Sequence, residues 1–301
     1  MNAVRQPVPC PVCDSTSSTV LYRPRVVIDD PQRLFGAASG IPGAQTIVRC
    51  TACQMIYESP RFDEADIIAG YASSNDAGHD SQHQMRVNSF YQSLKKLSQH
   101  LPAPGARVLD VGTAGGAFLD AAKRFGYVAT GLEPSRYLVE RCQQRGLDAV
   151  QGTIDDYAGA DGTFDMVTLW DVIEHLARPK DALVRIRRLL KPGGILLINY
   201  PDIGTWQAKI AGEKFWWLLS VHLSYFTPAT MREICSRTGF SVYFLRPHWQ
   251  TLQFGYLEEM AIHYKIPGAR LMHRLTPGFI RRIPIRYYAS QTTALSRPTH
   301  S

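Results

Sequence analysis

Long apolar runs are missing from this sequence. Its most apolar stretches, FWWLLSVHL (Phe215–Leu223) and GGILLINY (Gly193–Tyr200), fall far short of the roughly 20 residues that a membrane-spanning helix needs. The first residues, MNAVRQPVPCPVC, contain no apolar core of the kind that marks a secretory signal. Both absences argue against an integral membrane or exported protein, and the expectation is a soluble, cytoplasmic one. Acid is missing from the other end of the chain. From Met260 to Ser301 there are seven Lys and Arg and no Asp or Glu, so the net charge of +7 belongs wholly to that segment and the rest of the chain balances. Such a segment suits a solvated basic face around an active-site cover, contact with phosphates, or a peripheral touch on an anionic membrane.

Cysteine is scarce, and its placement is informative. Of six cysteines, Cys10, Cys13, Cys50 and Cys53 form two C-x-x-C pairs, while Cys142 and Cys235 stand alone in helical patterns and read as packing residues. Without an export signal, paired C-x-x-C units point to a metal rather than to disulfides. Four thiolates satisfy the tetrahedral preference of zinc, and the 36 residues between the pairs leave room for a hairpin within each half of a ribbon. Such a site has no open position, so the zinc is expected to be structural. Glycine is absent where a knuckle often uses it: Asp14 and Gln54 follow the second cysteine of each pair, at a position that favours positive φ.

The hydrophobic fraction of 45% is enough for one large domain and a small module. Residues 1–60, rich in Pro and Cys with short β-like runs (TVLYRP, TIVRC, MIYES), are the zinc-ribbon module. Residues 61–104 read as a helical lead-in that ends in Pro102, Pro104 and Gly105. Residues 105–301 then alternate apolar runs (RVLDVG, YVATGLEP, DAVQGT, FDMVTLW, GILLINYP) with helical stretches, the arithmetic of βαβ units. The fold class is α/β, a Rossmann-like sheet that is mostly parallel with its last strand antiparallel. SVYFLRPHW and YYASQTTALSRP are the final strand candidates, around a basic, aromatic insertion at about 250–286.

The segment VLDVGTAGGAFLDAA (Val108–Ala122) is a buried strand, a glycine-rich turn and a helix start. Glycines there let backbone approach a ligand, and the helix N-terminus offers free amides. A dinucleotide site uses similar mechanics, but GTAGG lacks the full G-x-G-x-x-G spacing. Asp110, at the strand end, suits the ammonium group of S-adenosylmethionine. Glu133, 23 residues later at the end of the next apolar run, is placed for ribose hydroxyls and suits either cofactor.

Taken in order, VLDVGTAGG, GLEPS, FDMVTLWDVIEHL, RRLLKPGGILLINYPD and HLSYFTPATMREICSRTGF resemble the class I S-adenosylmethionine-dependent methyltransferases. They are similar in particular to those preceded by a zinc-binding domain, among them sugar C-methyltransferases, across about residues 8–240. The resemblance implies that Asp110, Gly112 and Gly116 hold the amino-acid end of the cofactor and Glu133 the ribose. It puts Thr153 and Ile154 beside adenine, and Trp170 and Asp171 on the methyl-donor side. Ala114 stands where a glycine is usual, and Thr153 where many of these enzymes carry aspartate. Methyl transfer needs a base only when the acceptor must lose a proton. His222 is the preferred candidate, with His175 as competitor and Tyr225 assisting; Val221 replaces an acid that commonly precedes the equivalent histidine. The aromatic cluster Phe215, Trp216 and Trp217 is either an acceptor wall or a packed cap.

Only about 60 residues follow Phe240, where the sugar enzymes continue into a second large domain. The expected acceptor is therefore a small molecule, a nucleotide-linked sugar or a related intermediate, methylated on oxygen or carbon. Two other readings stay open. A nucleic-acid methyltransferase would grip phosphates through the ribbon and basic tail, but the N-P-P-Y type motif is absent after FDMVTLW. A zinc-ribbon adaptor would merely retain the fold.

Overall fold

A computed structural model describes residues 4–35, 40–72, 83–263 and 267–299. Its strands are β1 (Ser18–Tyr22), β2 (Ile47–Cys50), β3 (Ile56–Glu58), β4 (Arg107–Val111), β5 (Val128–Glu133), β6 (Asp148–Gln151), β7 (Phe164–Trp170), β8 (Leu190–Pro201), β9 (Ser224–Tyr225), β10 (Phe240–Gln253) and β11 (Pro284–Pro298). The larger sheet has seven strands in the order β10-β11-β8-β7-β4-β5-β6. β4 pairs in parallel with β5 and β7, β5 with β6, and β7 with β8. β11 lies antiparallel between β8 and β10, so the reversed strand is second from the edge. Strand order reverses at β4, between β5 on one side and β7 on the other, and a crevice at the carboxyl ends of such strands is where open α/β sheets bind ligands.

The apolar runs read from the sequence are what this sheet buries. Val108, Leu109, Val111, Val167, Leu169, Leu196 and Ile198 are all under 5% exposed, and each such side chain contributes roughly 1.5–3 kcal/mol on burial. Helices Ala117–Phe125, Arg136–Gln144, Pro179–Leu189 and Pro228–Arg237 cover the sheet with their apolar faces. Ser135 caps the second of these through Leu138 N, and Thr227 and Thr230 close a reciprocal capping box at the fourth. Between β10 and β11 the chain forms helices Phe254–His263, Ala269–Leu275 and Gly278–Arg281. Among the described residues no helix is long and apolar enough to cross a membrane.

The second sheet departs from the expected pair of hairpins. β1 pairs with β2 and β2 with β3, all antiparallel, so only the second cysteine pair sits on a hairpin of its own. The fourth strand of this sheet is β9, contributed by Ser224–Tyr225 from the far end of the chain. Cys10, Val12, Val48, Cys50, Met55 and Tyr57 share one continuous core with Leu109, Val167 and Ile198 of the large sheet. A module with too few apolar residues for a core of its own thus borrows one.

Candidate functional site

The glycine-rich turn after β4 is built from left-handed backbone. Gly112 and Gly116 have φ of 71° and 80°, and a Cβ on Gly112 would stand 2.6 Å from Val172 Cγ2. Side chains are therefore excluded at both positions by conformation and by packing, against Val172 at Gly112 and against Leu147 and Cys142 at Gly116. Ala114 also turns left-handed, at φ 49°, and its amide donates to Glu133 Oε2 at 2.9 Å. Glu133 Oε1 accepts from Ser135 N at 3.0 Å, so this one carboxylate ties the end of β5 to the turn after β4.

Asp110 is 2% exposed and accepts the Thr168 hydroxyl at 2.6 Å. Burial pushes its pKa from 3.8 to about 7, against the pull of hydroxyl hydrogen bonds, and the nearby Glu133 carboxylate adds to the rise. Burial also raises Glu133, offset by its two backbone donors. Among the described residues neither acid has a Lys or Arg partner. Two buried carboxylates on neighbouring strand ends without a cation are costly, and a ligand that brings an ammonium and vicinal hydroxyls would relieve both. The residues present therefore fit S-adenosylmethionine.

The remaining positions expected on this side are spread over the same edge. Asp171, at φ 55°, receives hydrogen bonds from Asn199 Nδ2 (2.9 Å) and Gln291 Nε2 (2.6 Å), and burial raises its pKa to about 6. Trp170 packs its ring between Phe90 and Phe118 with centroids 5.2 and 5.6 Å away, which makes it a core residue beneath the edge, with its indole N–H unpartnered. Thr153 bonds Asp156 at 2.7 Å, and Ile154 is buried in the main core.

The four cysteines converge as their spacing required. Cys10 and Cys53 sulfurs lie 3.5 Å apart, as do those of Cys13 and Cys50, and all four fall within 4.8 Å of one another. Zinc–sulfur bonds of about 2.3 Å in a tetrahedron separate sulfurs by about 3.7 Å, so the donor set fits a structural zinc ion. Asp14 and Gln54 adopt φ of 62° and 64°, the knuckle conformation, without glycine. Asp14 is also paired with Lys180 of the methyl-transfer domain. Cys142 and Cys235 are fully buried, as packing residues should be.

The histidines meet on the opposite side of Asp171 in sequence. Glu174 and His175 form a single 3-10 turn after β7 (Ile173–His175), and the Leu223 amide donates to the Glu174 carbonyl at 2.8 Å, which draws in the segment carrying His222. The two imidazole centroids are 4.8 Å apart. His222 Nδ1 donates to the Trp217 carbonyl and His175 Nδ1 to the Val221 carbonyl, each at 2.8 Å. Both rings are held neutral: burial lowers His175 to about 4, and burial and the neighbouring His175 put His222 well below its ordinary value. Tyr225 is brought close, but its hydroxyl donates to Gln45 Oε1 at 2.8 Å and so is not free to assist. Phe215, Trp216 and Trp217 form a cap: Phe215 is buried, and both indole N–H groups point to the Ala289 carbonyl of β11. Trp217 also stacks on His222, 5.8 Å between centroids.

Sequence reasoning missed the clamp that supports this loop. Gln45 Nε2 donates to the carbonyls of Ser220 and His222 and to Glu58 Oε2, while Arg5 pairs with Glu58 Oε1 at 2.6 Å. Arg5, Gln45 and Glu58 of the N-terminal module, together with β9, thus fix the main chain that presents His222. Isolated polar residues some 175 positions apart carry no pattern that would have revealed them.

An αβ sheet with this strand order, a glycine-rich turn after β4 and carboxylates at the ends of β4 and β5 defines the class I S-adenosylmethionine-dependent methyltransferase. Residues 80–244 match the model of the methyltransferase-domain family, more than half of the chain, and the protein belongs to that family. Among curated relatives, ubiquinone biosynthesis O-methyltransferases are similar: that of Xanthomonas oryzae is 35% identical over 113 residues, covering 35% of this chain and 47% of the relative. That of Cereibacter sphaeroides is 38% identical over 111 residues, 35% of this chain and 45% of the relative. The match thus spans about half the length of these relatives. Two solved structures share the fold. A methyltransferase from Archaeoglobus fulgidus superposes with a TM-score of 0.52 at 17% identity, over 74% of this chain and 100% of that one. A chain from the complex of the Haloferax volcanii Trm112 methyltransferase activator with a methyltransferase gives 0.53 at 18%, over 77% and 98%.

Proposed function

We propose that the protein transfers the methyl group of S-adenosylmethionine to a hydroxyl oxygen of a small molecule in the cytoplasm. The observation that carries this reading is the pair of buried carboxylates, Asp110 and Glu133, at the ends of adjacent parallel strands, neither of which has a Lys or Arg partner among the described residues. In it Asp110 meets the ammonium and Glu133 the ribose, with Gly112 and Gly116 shaping the turn, Thr153 and Ile154 nearest adenine, and Trp170 and Asp171 bounding the methyl side. When bound, the cofactor supplies an electrophilic methyl on a positively charged sulfur. The protein then contributes chiefly by holding the acceptor close and dry, worth roughly 7–11 kcal/mol in well-oriented reactions.

Oxygen is preferred over carbon because the relatives named above are O-methyltransferases. An acceptor hydroxyl must lose a proton, and His222 and His175 are the groups on hand. With Nδ1 of each tied to a carbonyl, the lone pair of each ring sits on Nε2, the state a base requires. A nucleotide-linked sugar is a second acceptor reading, supported by the zinc module joined to the HLSYFTPATM segment. Incubation with methyl-labelled S-adenosylmethionine and a panel of phenolic hydroxyl compounds and nucleotide sugars tests both. Label in an ether product supports the first reading, and failure to bind the cofactor at all would leave the adaptor reading.

The same proposal includes a peripheral membrane contact through the insertion. Leu271, Leu275 and Phe279 are 61%, 71% and 72% exposed, beside exposed Arg270, Arg274 and Arg282. Apolar side chains rimmed by cations complement an anionic lipid surface.

A further inference from the structure

The acceptor-side cluster contains a group that the histidine reading leaves unexplained. Glu174 is 1% exposed, and among the described residues no other donates a hydrogen bond to either of its carboxylate oxygens. A buried carboxylate without a donor is among the costlier arrangements in a folded protein. No Lys or Arg among the described residues reaches it; its polar neighbours are His175, whose Nε2 lies 4.0 Å from Glu174 Oε1, and the Asp171 and Tyr71 side chains. One ligand atom from each of Glu174, His175 and His222 lies within 4.8 Å of the others.

From this geometry we propose that Glu174, His175 and His222 bind one divalent first-row transition-metal ion, distinct from the structural zinc at the four cysteines. Three features beyond proximity support the assignment. The donor set, two neutral imidazoles and one carboxylate, suits ions of this group and is poorly suited to magnesium or calcium. Each imidazole is oriented by a main-chain carbonyl on Nδ1, and the Tyr71 hydroxyl lies 2.8 Å from both the Val221 carbonyl, to which it donates, and His175 Nδ1. Metal-binding histidines are typically fixed by such second contacts. The span is within reach: in a tetrahedral arrangement ligands about 2.0–2.2 Å from one ion stand about 3.3–3.6 Å apart, so a set now within 4.8 Å must draw in by up to about 1.5 Å, a movement that side-chain rotation supplies. Asp171 is not among the converging ligand groups, and its Oδ1 is held by Asn199 and Gln291.

Three protein ligands leave positions open on the ion, as catalytic sites do. The role that follows rests on the O-methyl reading. An acceptor hydroxyl coordinated to the ion has its pKa lowered, and its proton leaves to water. With the ion bound the imidazoles are ligands, and the metal replaces them as the means by which the acceptor loses its proton. The acceptor class this favours is a compound that offers a second oxygen next to the methylated one, such as a vicinal diol or hydroxyphenol, able to chelate.

The test uses the full-length, zinc-loaded protein and manganese(II), which does not displace zinc from thiolates. Free manganese is followed by electron paramagnetic resonance during titration. The expected result is one bound manganese per chain in the wild type, and affinity weakened by about 100-fold or more in Glu174→Gln and in His222→Ala. Retained S-adenosylhomocysteine binding in both variants shows that they are folded. Glu174→Gln provides a second readout: by removing an uncompensated buried acid it should raise the metal-free melting temperature, and added manganese should stabilise the wild type alone. No manganese binding by a wild type that binds the cofactor overturns the metal site and leaves the methyl-transfer reading standing. Manganese binding without transfer to any hydroxyl acceptor sinks the acceptor reading and leaves the site.

Discussion

Asp110 makes a prediction in which stability and ligand binding move in opposite directions. Its pKa of about 7 in the folded chain, against an ordinary value of 3.8, means that the fold prefers it protonated. Between pH 7.0 and 5.5 the ionised fraction falls from about one half to about 3%. The α-amino group of the cofactor stays protonated over that range. If the carboxylate meets the ammonium, affinity for S-adenosylmethionine should fall roughly 16-fold across this interval, about 1.6 kcal/mol, as read by isothermal titration. The stability sign is the reverse. The stability contributed by the raised group is full below about pH 4 and is lost as pH rises to about 7. Asp110→Asn should therefore stabilise the ligand-free protein at pH 8, by on the order of 2–4 kcal/mol, and leave it unchanged at pH 4. The same variant should bind the cofactor more weakly and without the pH dependence. Wild-type affinity and an unchanged pH profile in Asp110→Asn would refute the placement of the ammonium.

Other substitutions probe the remaining parts. Glu133→Ala removes two backbone acceptor contacts as well as the ribose partner, so cofactor affinity should fall by 10-fold or more, with Ala114→Gly as its control. That second change relieves a left-handed alanine and should be neutral or stabilising by up to about 1 kcal/mol in thermal melts, at unchanged affinity. Cys10→Ser should release zinc, seen in metal content, and lower the melting temperature by roughly 10 °C or more, since Cys10 belongs to the shared core. Unchanged zinc content would refute the four-thiolate site. Vesicles with about 30% anionic lipid should co-sediment the wild type at low salt; Phe279→Ser with Arg282→Ser should reduce the bound fraction several-fold, and equal binding would remove the membrane contact.

What the sequence disclosed was the set of features with a local period or spacing. The βαβ alternation appeared because the inner parallel strands β4, β7 and β8 are buried on both faces and so read as apolar runs, and the zinc site because two C-x-x-C pairs have few other uses in such a context. Even the absent glycines at 14 and 54 left the correct trace, since the positions themselves demanded positive φ and Asp14 and Gln54 supply it. Trp170 shows how far a linear reading reaches: its place as the last residue of β7 was legible, whereas the packing of its ring against Phe90 and Phe118 was not.

The acceptor side was legible only in part, for a physical reason. His222 stood out because the resemblance places acceptor-side residues after the fifth apolar run, and His175 as a second imidazole that titrates near neutrality, whereas Glu174 in VIEHL resembles any surface acid in a short turn. Its significance arises from burial, and burial there depends on contacts made over long sequence distances: Leu223 N to the Glu174 carbonyl, Gln45 to the carbonyls of Ser220 and His222, and β9 paired to β3. Those contacts also give the N-terminal module a second purpose. A zinc site that only stabilised its own strands would have no need of the Gln45 amide, whose three hydrogen bonds hold Ser220, His222 and Glu58 together. Gln45→Leu should therefore leave zinc content and cofactor affinity intact, yet disturb whatever His222 does. If acceptor turnover and manganese binding both survive that change, the module is a stabiliser alone.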